Sequence, residues 1–568
     1  MFFSFTLVAI LLVFTGCDLD DPTPPVKYTL TYNGNGSTGG IVPVDSAQYT
    51  SGQTVTVIGN TGSLIKTGKM FASWNTREDG KGAWYPADAQ ITMFSNVTLY
   101  AVWRNPLGAD EKNFWAMRVD GSDTWYSLTA KKLAEGTHCI VYADVTTNIT
   151  AANGQVIAAQ YDSNIHKQIT GIFGDIEDVD ENNKVIFLML DIVDGYTGSG
   201  GYVAGYFQGY QMYSQLTGAL YSNEADMLYM DTNPGFNIDK ADVMQNFYST
   251  MAHELQHLIE FSQTVAKNKA EKDLWINEGL STAAEYIYGA GTGSPAQQTS
   301  RIDYFNAGVD SSGNPSTIRY GNNFFVWNGY WEEPEHGGDV LADYATAYLF
   351  FQWLRIHAGN GTGIYKDIIA STYGDYRAVT DAASSRIDSR LSTWGKLLGN
   401  WLSANYVNNP TGLLGYKGQI DTKTYLFPNS RTSWVLSPGE GVFSRISGGS
   451  VSTSGFASGS HIYYVGIGSS IDETGPSYTG TYLLTFNANS DKGGADENGK
   501  LAAGVVSGPR ASVQMSLNGN AEPAITAPLP TSYPIDVHFG PDGTVSPGSP
   551  RAGTGKPRIS AKPLGLGK

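Results

Sequence analysis

Tyr248-Ser249-Thr250-Met251-Ala252-His253-Glu254-Leu255-Gln256-His257-Leu258-Ile259-Glu260-Phe261 is the stretch on which the reading of this 568-residue chain turns. Val243, Phe247, Met251, Leu255, Leu258 and Ile259 recur at helical spacing, which predicts a helix over roughly 239–263 with Asp239 as its N-cap. Histidines four apart on a helix lie one turn apart on the same face, so His253 and His257 can both reach one metal ion. Glu254 sits beside them, near enough to handle a proton at that ion. The chain has only 8 His, so two of them framing a Glu at this spacing is an uncommon coincidence. The apolar stripe runs beside the His face, as expected of a helix half in a core and half in a cleft.

A catalytic zinc site needs a third protein ligand and leaves a fourth position open. Beyond His257 the sequence supplies Leu274-Trp275-Ile276-Asn277-Glu278-Gly279-Leu280-Ser281-Thr282-Ala283-Ala284-Glu285-Tyr286, the core of a second predicted helix over 272–288. Glu278 and Glu285, seven apart, share one face of it. One can bind metal while the other hydrogen-bonds a ligating histidine. Two acids on a Trp- and Leu-rich helix are poorly placed for solvent.

HExxH followed by Asn-Glu-Gly on a second helix resembles the gluzincins, the clan of thermolysin and the aminopeptidase N type. The runs His253 to Ile259 and Trp275 to Ser281 most resemble the hyicolysin family of neutral metallopeptidases. The likeness extends over roughly 150–410, including the later helix Asp343-Tyr344-Ala345-Thr346-Ala347-Tyr348-Leu349-Phe350-Phe351-Gln352-Trp353. The resemblance implies a central α+β, thermolysin-like domain with one catalytic Zn2+ and endopeptidase activity on protein or peptide substrates. It carries His253, His257 and Glu278 over as ligands and Glu254 as the base, which leaves Glu285, on the same helix face as Glu278, to support a ligating histidine. Gluzincins also use a downstream Tyr or His to face the developing oxyanion. Tyr344, Tyr348 and His336 all stand at a suitable distance, with Tyr344 favoured. Asp226 to Asp231 resembles the edge strand that pairs with extended substrate in this clan. No third His follows His257 at the short spacing of metzincins, which disfavours that class.

Around this centre the chain reads as multidomain. Leu7 to Phe14 are almost wholly apolar and lead through Thr15-Gly16 to Cys17, so 1–17 reads as a lipoprotein signal with Cys17 acylated. Two features depart from that pattern: no Lys or Arg precedes Lys27, and Phe14 stands where Leu is usual. Residues 18–26 are a stiff, Pro-rich linker. Period-two patterning over 27–105 predicts a small β-domain. Its run Lys69 to Thr76, with Gly80, Gly82, Tyr85 and Leu99-Tyr100-Ala101-Val102-Trp103, resembles the Listeria–Bacteroides repeat of the internalin B type, which implies a surface-exposed, β-grasp-like spacer or adhesion module, and its aromatics are read as core. The metallopeptidase-like domain spans 106–420, a β-rich C-terminal domain 421–541, and a Pro/Gly-rich disordered tail 542–568. Further helices are predicted near 151–172, 339–358 and 363–405.

The net charge of −17 argues against nucleic acid. Only Cys17 and Cys139 are present, which excludes a disulfide framework; Cys139 reads as an inert buried thiol. No stretch is long enough to span a bilayer, so membrane contact is expected through the lipid anchor only, at the envelope of an exporting bacterium or, with a plain signal, by secretion. Asp175 to Asn183 invites a calcium loop, but Met189 occupies the twelfth position counted from Asp178, and no Gly stands sixth. An acidic turn before a strand is the reading, and structural Ca2+ has no supporting pattern. The other histidines carry no ligand spacing. The rival reading is an envelope adhesin on an inactive metallopeptidase scaffold; the intact Glu254 favours the enzyme. Substrate specificity and oligomeric state leave no mark in the sequence.

Overall fold

The computed structural model describes residues 26–514 except 81, 121–123, 199–201, 218, 293–295, 309–317, 319–323, 326–339, 423–432, 437, 447, 453–460, 469–470, 474–476 and 491–510. The signal segment with Cys17, the candidate His336 and the tail 542–568 therefore lie outside the described residues. The chain divides into two compact units, Met1–Pro106 and Leu107–Lys568.

In the first unit, the strands Leu30–Asn33, Val97–Arg104, Met70–Asn75 and Trp84–Tyr85 form one sheet in that order. Its first and last long strands pair in parallel, as in a β-grasp sheet. Leu30, Val55, Trp74, Ile91 and Leu99 alternate inward and fill the core. Trp74 is fully buried against Tyr32 and Phe71, and its indole N–H donates to the Ile58 carbonyl at 2.8 Å. These aromatics are core, as their pattern indicates.

The second unit is α+β. Its main sheet runs Gly205–Phe207, Met227–Asp231, Val185–Leu190, Cys139–Asp144, Trp125–Glu135, Glu111–Met117. The middle three strands are parallel to one another and the flanking pairs antiparallel. Val185–Leu190 is buried on both faces: Val185, Phe187 and Met189 face the helices, while Ile186, Leu188 and Leu190 join a second core on the far side. Such continuous burial explains its unbroken apolar run.

One expectation is corrected here. Asp226 to Asp231 does not form the edge, because Gly205–Phe207 pairs antiparallel on its outer side. The edge strand comes from a Gly/Tyr-rich stretch whose weak β-pattern hides it.

Helices α1 (Ala151–Gln160) and α2 (His166–Phe173) are joined through one π turn, Tyr161–Ile165. The central helix α3 is Ala241–Gln263, beginning after Lys240 rather than at a cap on Asp239. It is enclosed on nearly every side, so the expected half-open helix is instead an interior one: Met251, Ala252, His253, Glu254 and Leu255 are all fully buried. Helix α4 (Leu274–Thr292) packs on α3, and α6 (Val340–His357) packs on α4. Gly279 permits that last approach, since a Cβ there would lie 2.2 Å from the Phe351 ring. Between them in sequence comes α5 (Ala296–Ala307), which packs on both and which no sequence pattern announced.

The region 363–405 forms three helices, not one: α7 (Gly363–Ala370), α8 (Tyr376–Arg386) and α9 (Trp394–Val407). Asp375 and Thr393 each cap a new start, accepting from the backbone N–H of Arg377 and Lys396. The C-terminal strands Gly441–Arg445, Tyr482–Asn487, Ile462–Ile467 and Ile471–Asp472 make a four-stranded antiparallel sheet against α9. Phe443, Val465 and Phe486 belong to the same core as Leu398 and Trp401. No helix among the described residues is long and apolar enough to cross a membrane.

Candidate metal centre

Helix α3 brings His253 and His257 to one face, one turn apart, with ring centroids separated by 4.8 Å. Helix α4 brings Glu278 against them. Its Oε2 lies 3.4 Å from His253 Nε2 and 3.6 Å from His257 Nε2. Glu278 is 3% exposed, and its Oε2 is buried without a hydrogen-bond partner among the described residues. A carboxylate oxygen in that position is expensive unless a cation meets it. These three residues could hold a metal ion.

Each histidine is turned by its other nitrogen. His253 Nδ1 stands 2.7 Å from Glu285 Oε1, and an ionised carboxylate only accepts, so Nδ1 donates, and in the neutral ring Nε2, which lies toward Glu278, keeps its lone pair. Burial alone would push the Glu285 carboxyl up, but Arg301 and His253 outweigh it and hold it down at about 2. His257 Nδ1 lies 3.0 Å from Asn277 Oδ1, with Ser281 Oγ 3.1 Å away. The Asn of Asn277-Glu278-Gly279 thus orients one histidine while its neighbour faces both.

Glu254 is fully buried on α3 beside the edge strand, where a Cβ on Gly205 would come within 3.3 Å of Glu254 Cγ and 2.9 Å of Thr250 Cγ2. Glycine at 205 lets that strand lie directly on the helix. Of the downstream candidates, the Tyr344 ring lies 6.3 Å from the His253 ring. Tyr348, one turn on, is fully buried toward Tyr365 and Tyr286 and raised well above the usual phenol range by that burial. The structure brings Tyr344 to His253 and leaves Tyr348 in the core. Asn277, Gly205 and Arg301 went unread in the sequence; Asn277 alone had a local signal, its place in the Asn-Glu-Gly run.

A second acidic group forms where the sequence suggested only a turn. Asp178, Asp180 and Asp226 present carboxylate oxygens within 4.8 Å of one another. The turn itself is as expected, with Asp178 accepting from the backbone N–H of Asn182 and Asn183, both at 3.0 Å. Burial, then the neighbouring Asp180, pushes Asp226 up to about 8. A carboxyl raised on folding contributes its full stability below its unfolded value of about 4 and loses it as pH rises to about 8. Asp226→Asn cannot ionise, yet keeps an acceptor for the Val179 N–H. In EGTA, to keep divalent cations off both proteins, the variant should melt several degrees above wild type at pH 9 and match it near pH 4. A variant that melts lower at pH 9 would contradict the assignment.

Elsewhere the structure agrees with the plainer readings. Cys139 is fully buried, which pushes its thiol up to about 12 and leaves it inert. His138 and His166 stack at 3.9 Å, though they are not among the groups of three or more residues that could hold a metal ion.

Residues 28–102 match the family model of the Listeria–Bacteroides repeat domain. The chain is 32% identical over 273 residues to the neutral metalloprotease ShpI of Staphylococcus hyicus, covering 48% of this chain and 57% of that protein. It is also 32% identical over 114 residues to a putative Gly-rich membrane protein of Evansella cellulosilytica, covering 19% of this chain and 12% of the other. The chain thus spans little more than half the length of the metalloprotease it matches. It is a homologue of a neutral metalloprotease over about half its own length, with a Listeria–Bacteroides repeat domain near its N-terminal end.

Proposed function

We propose that this chain is a zinc endopeptidase of the gluzincin type, with the ion held by His253, His257 and Glu278. The observation that carries the reading is the convergence of Glu278 Oε2 on both Nε2 atoms at 3.4 and 3.6 Å. Two ligands bound at about 2.0–2.1 Å around a tetrahedral ion sit roughly 3.3–3.4 Å apart, so the donor set suits zinc. Three protein donors, two of them backed by oriented partners, are also the usual make-up of a catalytic rather than a structural site. The likeness to a neutral metalloprotease points the same way.

When bound, zinc acidifies water toward pKa about 7 and polarises the scissile carbonyl. Glu254 takes the proton from the attacking water and delivers it to the leaving amine. Tyr344, beside His253, is the donor for the developing oxyanion. The edge strand Gly205–Phe207 offers backbone groups to an extended substrate, which suits unfolded protein segments. Export with lipid attachment at Cys17 completes the reading and rests on the sequence alone.

Purified protein should carry one zinc and cleave unfolded casein. Stripping with 1,10-phenanthroline should abolish cleavage, and stoichiometric zinc should restore it. Protein that takes up no zinc would sink the proposal. Zinc without cleavage of casein or of a mixed peptide library would point to a binding role.

A further inference from the structure

Behind the two histidines lies a cation that the reaction does not call for. Arg301, on α5, is 1% exposed and grips Glu285 with two parallel bonds, Nη2 to Oε1 at 2.6 Å and Nε to Oε2 at 3.1 Å. Glu285 Oε1 accepts from Arg301 and from His253 Nδ1 at once, so one oxygen is shared between guanidinium and imidazole. The Arg301 guanidinium carbon lies over the Tyr344 ring, 5.2 Å from its centre, and the centre of that ring stands 6.3 Å from that of His253. One side chain therefore touches both the support of a ligating histidine and the candidate oxyanion donor.

The fork geometry matters. A planar guanidinium bound through two nitrogens fixes the carboxylate's rotation as well as its position, which a point charge does not. Without the fork, Glu285 could turn about its last torsion, and the oxygen that aims His253 would move with it. The chain must also reach from α5 to supply this contact, since Arg301 lies 16 residues beyond Glu285.

We infer that Arg301 is a positioning residue of the metal centre: by clamping Glu285 it holds the His253 ring with Nε2 toward Glu278 and His257, and its guanidinium over the Tyr344 ring sets that tyrosine beside His253. This rests on the metal-site reading above. A merely structural Arg301 would neutralise a buried acid, a task that a lysine could take over.

The test is Arg301→Lys in the full chain, with zinc affinity measured by competition against a chromogenic chelator, and kcat and KM on casein measured separately. Losing a supporting partner of a metal ligand typically costs about 10–100-fold in metal affinity. Arg301→Lys should weaken zinc by about that factor and lower kcat, with KM held within about twofold. Glu285→Gln/Arg301→Lys should bind zinc no more weakly than Glu285→Gln alone, because the two act through one contact. Arg301→Lys protein that binds zinc within about twofold of wild type at unchanged kcat would overturn the inference, as would effects that multiply in the double variant. Should Arg301→Lys not fold, Glu285→Gln/Arg301→Met removes both charges together and is read against Glu285→Gln. Equal zinc affinity upholds the inference and a further loss overturns it. Wild-type protein without zinc overturns this inference and the proposed function together, whereas zinc-bound wild type with an unaffected Arg301→Lys overturns this one alone.

Discussion

Glu254→Gln should lower kcat for casein cleavage by about a thousandfold, within the 10²–10⁴ range expected for loss of a general base, while zinc content and melting temperature stay at wild-type values. The amide has the shape of the carboxylate, so the fully buried position beside Gly205 gains neither a cavity nor a clash. Zinc should be retained because the converging donors are His253, His257 and Glu278, and Glu254 is not one of them. What is lost is the capacity to accept a proton from water. Activity within about fivefold of wild type in the zinc-loaded variant would show that another group is the base. Zinc loss in the variant would show instead that Glu254 helps to hold the ion.

The second large effect runs in opposite directions for metal binding and for stability. Glu278→Gln should weaken zinc by more than the roughly 100-fold ascribed to supporting residues, taking cleavage with it. The metal-free variant, however, should melt no lower than the metal-free wild type. Glu278 Oε2 is a buried oxygen without a hydrogen-bond partner among the described residues, 3% of the residue being exposed. Without its cation it is a cost to the fold, and a neutral amide relieves part of it. Competition with a chelator gives the first quantity and thermal unfolding in that chelator the second. A Gln variant that binds zinc like wild type would remove Glu278 from the ligand set. One that binds no zinc and also melts far lower would show that the carboxylate serves the fold.

These two outcomes, with the Arg301 series, separate three layers of the same site. In the proposed reading, Glu254 acts on the proton, Glu278 on the ion, and Arg301 on the orientation of a ligand. Each layer has its own readout: kcat at full zinc, zinc affinity with its inverse effect on metal-free stability, and zinc affinity that is non-additive with Glu285.

Much of the centre could be read from sequence because its parts are local. His253, Glu254 and His257 lie within one helix whose apolar stripe sets their face, and Glu278 and Glu285 share a face of the next helix for the same reason. The long strand Val185–Leu190 is equally local, an unbroken apolar run. What periodicity cannot carry is contact between elements. Tyr344 and Tyr348 share a face of α6, and only the axial placement of that helix on α4 decides that Tyr344 meets His253 while Tyr348 points into the core. Asp226 joins Asp178 and Asp180 because two neighbouring strands start side by side, a pairing across 46 or more residues that leaves no local trace. The edge strand Gly205–Phe207 hides in a Gly/Tyr-rich loop because its pairing, not its composition, makes it a strand. Arg301 stands on a helix of weak apolar pattern, and its partner is chosen by burial: a charged Glu285 behind His253 requires a cation, and packing of α5 supplies it. The chemistry of the centre was therefore written locally in two helices, and its orientation was decided by the elements packed around them.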